Sequence, residues 1–119
     1  MKKPFTLSII LPVFNEETNI EQTVVDAMDW LRQEAGVEAY EIIAVNDGST
    51  DGTAGILKRL KTAGAHLVIV DYPVNKGYGG ALMSGIEIAR YDWVLLMDSD
   101  GQFKLESLRG MLDFVEEFD

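Results

Sequence analysis

Leu7-Ser8-Ile9-Ile10-Leu11-Pro12-Val13, closed at once by Phe14-Asn15-Glu16-Glu17, sets the frame for the whole chain. The run is short and rich in branched apolar residues, and those residues are nearly continuous rather than alternating. That pattern predicts a strand buried on both faces, as in a parallel sheet covered by helices. Ile42-Ile43-Ala44-Val45, Leu67-Val68-Ile69-Val70 and Trp93-Val94-Leu95-Leu96-Met97 repeat it. Stripes at helical spacing lie between the runs. Ile20, Val24, Ala27, Met28 and Leu31 make the first, with Thr18 and Glu21 spaced as a capping box. Ile56, Leu57 and Leu60 make the second, which Gly64 ends; Ala81, Leu82, Ile86 and Ala89 make the third. Leu105, Leu108, Met111, Leu112 and Val115 make a fourth. The alternation predicts an α/β domain: a Rossmann-like open, mainly parallel sheet of about four strands with helices on both faces.

Composition narrows the function. The chain has 119 residues, a length that favours one domain with one core. Twenty acidic residues against 10 basic ones give a net charge of −10. Such a balance argues against nucleic-acid binding, which runs on phosphate neutralisation by Lys and Arg. The absence of cysteine removes disulfides and thiolate chemistry, and it fits a reducing compartment. No apolar run approaches the roughly 20 residues of a membrane span, and the run after Met1-Lys2-Lys3 is too short for a signal peptide.

In an open α/β sheet, ligands bind beyond the carboxyl ends of the strands. The segments there are Pro12 to Glu16, Asn46 to Gly52, Asp71 to Gly80 and Asp98 to Gln102. All are polar, and carboxylates recur in each. Asp98 and Asp100 stand two apart, so extended backbone points both side chains the same way. Paired carboxylates repel unless something neutralises them, and a divalent cation with oxygen ligands does so. Gln102 can add a neutral oxygen. The competing reading is a polar turn. Asp47 can accept a hydrogen bond from a ring N–H such as uracil or guanine offers, or it can serve a turn or cap. Ser49, Thr50 and Asp51 read as caps. Glu16 reads first as a charge favoured at a helix start. Lys76 is a candidate phosphate contact beside Gly77, Gly79 and Gly80. The dinucleotide fingerprint fails there, because Leu82 stands where Gly or Ala is required. His66, the single histidine, lies away from the rim and reads as structural, and Trp30 and Trp93 read as packing.

Taken in order, the motifs Leu11-Pro12-Val13-Phe14-Asn15-Glu16-Glu17, Val45 to Thr53, Asn75-x-Gly77-x-Gly79-Gly80-Ala81-x-x-x-Gly85 and Met97 to Gln102 resemble inverting family 2 glycosyltransferases of the GT-A fold. The Asp-x-Asp-Gly-Gln form is most similar to polyprenyl-phosphate sugar transferases, such as the dolichol-phosphate mannosyltransferases. The chain departs from them at Phe14, where tyrosine is common, and at Phe103-Lys104, where His and Pro are usual. The resemblance implies a site for a UDP- or GDP-sugar. Pro12, Phe14 and Glu16 would line the nucleoside pocket, and Asp47 would hold the base. Asp98 would stand at the nucleotide and the metal, and Asp100 and Gln102 would ligate the Mg²⁺ or Mn²⁺ that bridges the diphosphate. The acceptor would be a polyprenyl phosphate or a saccharide. Residues 1–119 are then expected to be the nucleotide-sugar-binding part, cut before the acceptor half, with the general base beyond Asp119 and no transfer by this chain alone. Other expectations are self-association through an unpaired strand edge and a parent protein in the cytoplasm or on the cytoplasmic face of a membrane. The alternatives are a receiver-like signalling domain, a phosphatase of the Asp-x-Asp type and a non-catalytic interaction domain. They fit less well, because the first strand ends in Asn15-Glu16 rather than an acidic pair and Gln102 stands where such phosphatases want Thr or Val.

Overall fold

A computed structural model describes residues 4–34 and 36–98. Asp100, Gln102 and the fourth helical stripe lie outside them. The elements run β1 (Phe5–Val13), α1 (Ile20–Gln33), β2 (Val37–Asp47), α2 (Thr53–Thr62), β3 (Leu67–Tyr72), α3 (Tyr78–Ile88) and β4 (Trp93–Leu96). The sheet order is β3-β2-β1-β4, and every pair is parallel. The expected α/β architecture is therefore present. β1 and the last seven residues of β2 are buried almost throughout, whereas β3 and β4 are partly exposed. Continuous apolar runs thus mark the two inner strands most strongly.

The helices divide between the faces. Leu7, Ile9, Leu11 and Val13 of β1 pack with Ile20, Val24, Met28 and Leu31 of α1 and with Leu57 and Leu60 of α2. Ile10, Ile43 and Val45 face the other way and pack with Ala81 of α3. The chain winds outward from β1 to β3, then crosses over α3 to β4 on the far side of β1. That reversal opens a crevice at the carboxyl ends of β1 and β4.

Three local expectations are corrected. Thr18 and Glu21 do not form a capping box: Asn19 is the N-cap and makes no side-chain cap bond. Glu21 instead accepts from Arg59 of α2 at 2.6 Å. β2 is longer than its apolar run, because Val37 to Tyr40 pair with Phe5 to Leu7 across a register shift. Ile86 is 40% exposed, because α3 covers β1 and β2 and turns that side chain away from them.

Close packing of α3 depends on Gly85. A Cβ there would lie 2.5 Å from Cγ2 of Ile10 and 3.4 Å from Cγ2 of Val45. Ile10 is fully buried and its β-branched side chain is stiff. Alanine would improve helix propensity by about 0.5–1 kcal/mol, but overpacking costs about 1–3 kcal/mol. Gly85→Ala is therefore expected to be net destabilising by about 1 kcal/mol. Urea denaturation checks it; an unchanged or raised midpoint would show that α3 can shift freely.

Candidate functional site

The loops after β1 and β2 are laced together. The Asn15 N–H donates to Ser49 Oγ at 2.9 Å, and the Thr50 N–H donates back to Asn15 Oδ1 at 2.8 Å. Asn15 sits in the left-handed region at φ 50°, a conformation Asn tolerates better than most residues. The Glu16 N–H donates to Thr53 Oγ1, the Glu17 N–H to Asp51, and the Gly52 N–H to Glu17. Asp51 also accepts from both the backbone N–H and the hydroxyl of Thr53. The Thr53 hydroxyl is the main cause that holds the Asp51 carboxyl below its ordinary value. The N-cap of α2 is Gly52, with no side-chain cap bond, so the expectation that Ser49, Thr50 and Asp51 are caps is corrected. They fasten one rim loop to the next.

The third rim segment is fixed to β2. Asp47 is buried, with Oδ1 accepting from the Lys76 N–H at 2.7 Å and Oδ2 from the Gly77 N–H at 2.9 Å. The fourth meets α3 weakly, where the Tyr78 hydroxyl lies 3.5 Å from Asp98 Oδ1.

Between these segments lies a cleft of about 430 Å³. Pro12 lines it from β1, Phe14 and Glu16 from the loop that follows, Asp47 from the end of β2 and Asp98 from just beyond β4. Asn75 and Tyr78 complete the wall on the α3 side. Five of the six expected nucleotide-site residues therefore meet in one place. Lys76 is the exception: it is not among the lining residues, and its ammonium lies 3.8 Å from the Tyr72 ring centroid. Asn75 and Tyr78 were not expected. Their signal was faint, a polar residue and an aromatic one flanking Gly77 at a helix start. His66 stacks on Tyr40 at 4.8 Å and, as expected, takes no part in the cleft.

Three carboxylates and no Lys or Arg line the cleft among the described residues. Positive potential for an anionic ligand there comes from the N-terminus of α3 at Gly77 and Tyr78 or from an added cation. Asp98 is exposed at the cleft and offers the hard oxygen donor that Mg²⁺ or Mn²⁺ prefers. Among the described residues no cluster of three His, Cys, Asp or Glu side chains could hold a metal. The other two expected ligands, Asp100 and Gln102, lie outside those residues.

Known proteins resemble the chain in sequence and in fold. The model of glycosyl transferase family 2 matches residues 8–119. A dolichyl-phosphate beta-glucosyltransferase of Trichomonas vaginalis is 31% identical over 110 residues, covering 90% of this chain and 33% of that protein. Glucosyl-3-phosphoglycerate synthase of Mycobacterium tuberculosis, solved with UDP, superposes with TM-score 0.59 at 33% identity, over 81% of this chain and 34% of the other. A Pyrobaculum calidifontis mannosyltransferase, solved with GDP-Man and Mn²⁺, shares the fold with TM-score 0.69 at 24% identity, over 84% and 28%. The chain spans about a third of the length of the curated relative.

Proposed function

Since the chain belongs to glycosyl transferase family 2, we propose that it forms the nucleotide-sugar donor site of an inverting sugar transferase. One observation carries this reading: Pro12, Phe14, Glu16, Asp47 and Asp98, drawn from three separate strand ends, converge on one cleft at the sheet's switch point. Pro12 and Phe14 supply apolar surface for a nucleoside. Glu16, and the second lone pair of each Asp47 oxygen beyond its one backbone N–H, supply acceptors, which favour a base carrying a ring N–H, uracil or guanine, over adenine. Asp98, with Asp100 and Gln102, would hold Mg²⁺ or Mn²⁺; such an ion neutralises the charge that builds on a departing nucleoside diphosphate. The rest of the cleft binds and orients the donor.

In the transfer, an acceptor oxygen forms the new bond at the anomeric carbon from the face opposite the nucleotide. The old C–O electron pair leaves with the diphosphate, which inverts that carbon. This reading gives the acceptor's proton to a carboxylate beyond Asp119. The similarity to a dolichyl-phosphate enzyme supports a polyprenyl phosphate as acceptor, and the cysteine-free composition supports a cytoplasmic location, or the cytoplasmic face of a membrane, for the full-length parent. The unpaired edge of β4 among the described strands, with Val94 and Leu96 exposed, supports self-association of this chain.

Calorimetry tests the donor site. UDP or GDP is expected to bind in the presence of Mn²⁺, more weakly after chelation, and ADP at least about tenfold more weakly than the better of the two. Absence of binding to both UDP and GDP at millimolar nucleotide with Mn²⁺ overturns the proposal.

A further inference from the structure

Asp47 is 3% exposed, yet both of its carboxylate oxygens are used within the protein. Each takes one backbone N–H of the segment ahead of α3, from Lys76 and from Gly77. Asn75 adds to the same joint: its Nδ2 donates to the Asp47 carbonyl oxygen at 3.1 Å, and its Oδ1 accepts from the Gly77 N–H at 2.9 Å. The Lys76 ammonium over the Tyr72 ring is a further hold, but burial adds little. Pro73, Val74, Asn75 and Lys76 are all exposed, Val74 by 73%. On its other side it runs close against Gly48, whose φ is +77° and where a Cβ would lie 2.6 Å from the Asn75 nitrogen.

We propose that Asp47 is a positioning residue, whose carboxylate fixes the segment Asn75 to Gly77, and with it the first turn of α3, where the nucleotide seat requires them. The proposal rests on the donor-site reading above. Charge-assisted bonds from a carboxylate to backbone N–H groups are stronger than neutral ones. Here they replace the burial that an exposed loop lacks. Asn75, Gly77 and Tyr78 line the cleft, so a loop that drifts from Asp47 takes a cleft wall with it. A residue that only touched a base would leave the loop indifferent to its loss.

Amide hydrogen exchange, measured on the chain without nucleotide, separates the two roles. Asp47→Asn keeps the side chain's size but turns an N–H group toward one of the two backbone donors. The Lys76 and Gly77 amides are then expected to exchange at least about tenfold faster, while the β1 amides keep their protection. Gly48→Ala reaches the same loop with the carboxylate intact. It is expected to speed exchange at Lys76 and Gly77 and to weaken nucleotide binding in the same variant. Unchanged exchange in Asp47→Asn overturns the proposal. So does a Gly48→Ala chain that exchanges fast but binds nucleotide as the wild type does. If Asp47→Asn does not fold, the Gly48→Ala comparison decides alone. Failure of the donor-site reading shows separately, as a wild-type chain that binds neither UDP nor GDP, and leaves the exchange result standing.

Discussion

Glu41→Ala is expected to remove about 2–4 kcal/mol of folding stability, a drop of roughly 10–20 °C in melting temperature for a domain of this size. Glu41 is 2% exposed on the α3 face of β2, directly beside Ser8 in the parallel register. Its carboxylate accepts from the Ser8 hydroxyl at 2.6 Å, the Arg90 N–H at 2.9 Å and the Arg90 Nε at 3.1 Å. The Ser8 oxygen in turn accepts from the Tyr91 N–H, and Thr6 accepts from the Asp92 N–H. These bonds pin the turn from α3 into β4, and β4 carries Asp98 to the cleft. Alanine leaves the buried Ser8 hydroxyl without its acceptor, strips the Arg90 N–H groups of theirs, and opens a void. The ion pair is half-buried, the Arg90 side chain being 65% exposed and the Glu41 side chain 3%, and without the guanidinium the carboxylate keeps the Ser8 hydroxyl and the Arg90 backbone N–H. Arg90→Ala is therefore expected to cost less than Glu41→Ala, about 1–2 kcal/mol. Chemical denaturation of both variants decides the matter. Equal costs would show that the ion pair, not the buried hydrogen bonds, holds the corner.

Asp100→Ala is expected to abolish Mn²⁺-dependent nucleotide binding, with a loss of at least about 100-fold. Changes to residues that merely support a metal ligand already cost about 10–100-fold, and removal of a direct ligand should exceed that. The described cleft has no Lys or Arg lining it to substitute for the ion. Asp98→Ala should act in the same direction, since Asp98 lines the cleft itself. After chelation, wild type and both variants should converge on one weak affinity. A titration of Asp100→Ala with Mn²⁺ that matches wild type would remove Asp100 from the metal site.

Much of the frame was legible because it follows from burial. β1 and β2 are inner strands, so their sequences carry the apolar signal of two covered faces; the strand-end rule then pointed to the rim segments and to Asp47 and Asp98 within them, while Pro12, Phe14 and Glu16 came from the family resemblance. What sequence reading missed depends on partners distant in the chain. Glu21 left its expected capping role for Arg59, 38 residues away, and the spacing of Thr18 and Glu21 carries no trace of that choice. Lys76 looked free to meet a phosphate, but the ring it covers belongs to Tyr72 at the end of β3. Asn75 and Tyr78 reach the cleft only because Asp47 and Gly48 fix the loop that bears them. Ser49, Thr50 and Asp51 had the right chemistry for caps, yet their partners include the preceding rim loop.

That lacing between residues 15–17 and 49–53 changes how a mutational scan of this protein should be read. Asn15, Ser49 and Asp51 make their named contacts with each other's loops, and none of them lines the cleft. Their loss would nonetheless displace Phe14 and Glu16, which do. A ranking by lost activity would therefore place these three among apparent ligand contacts. Pairs of substitutions across the seam would be non-additive, the second costing less than the first, because the two loops respond as a single rigid part.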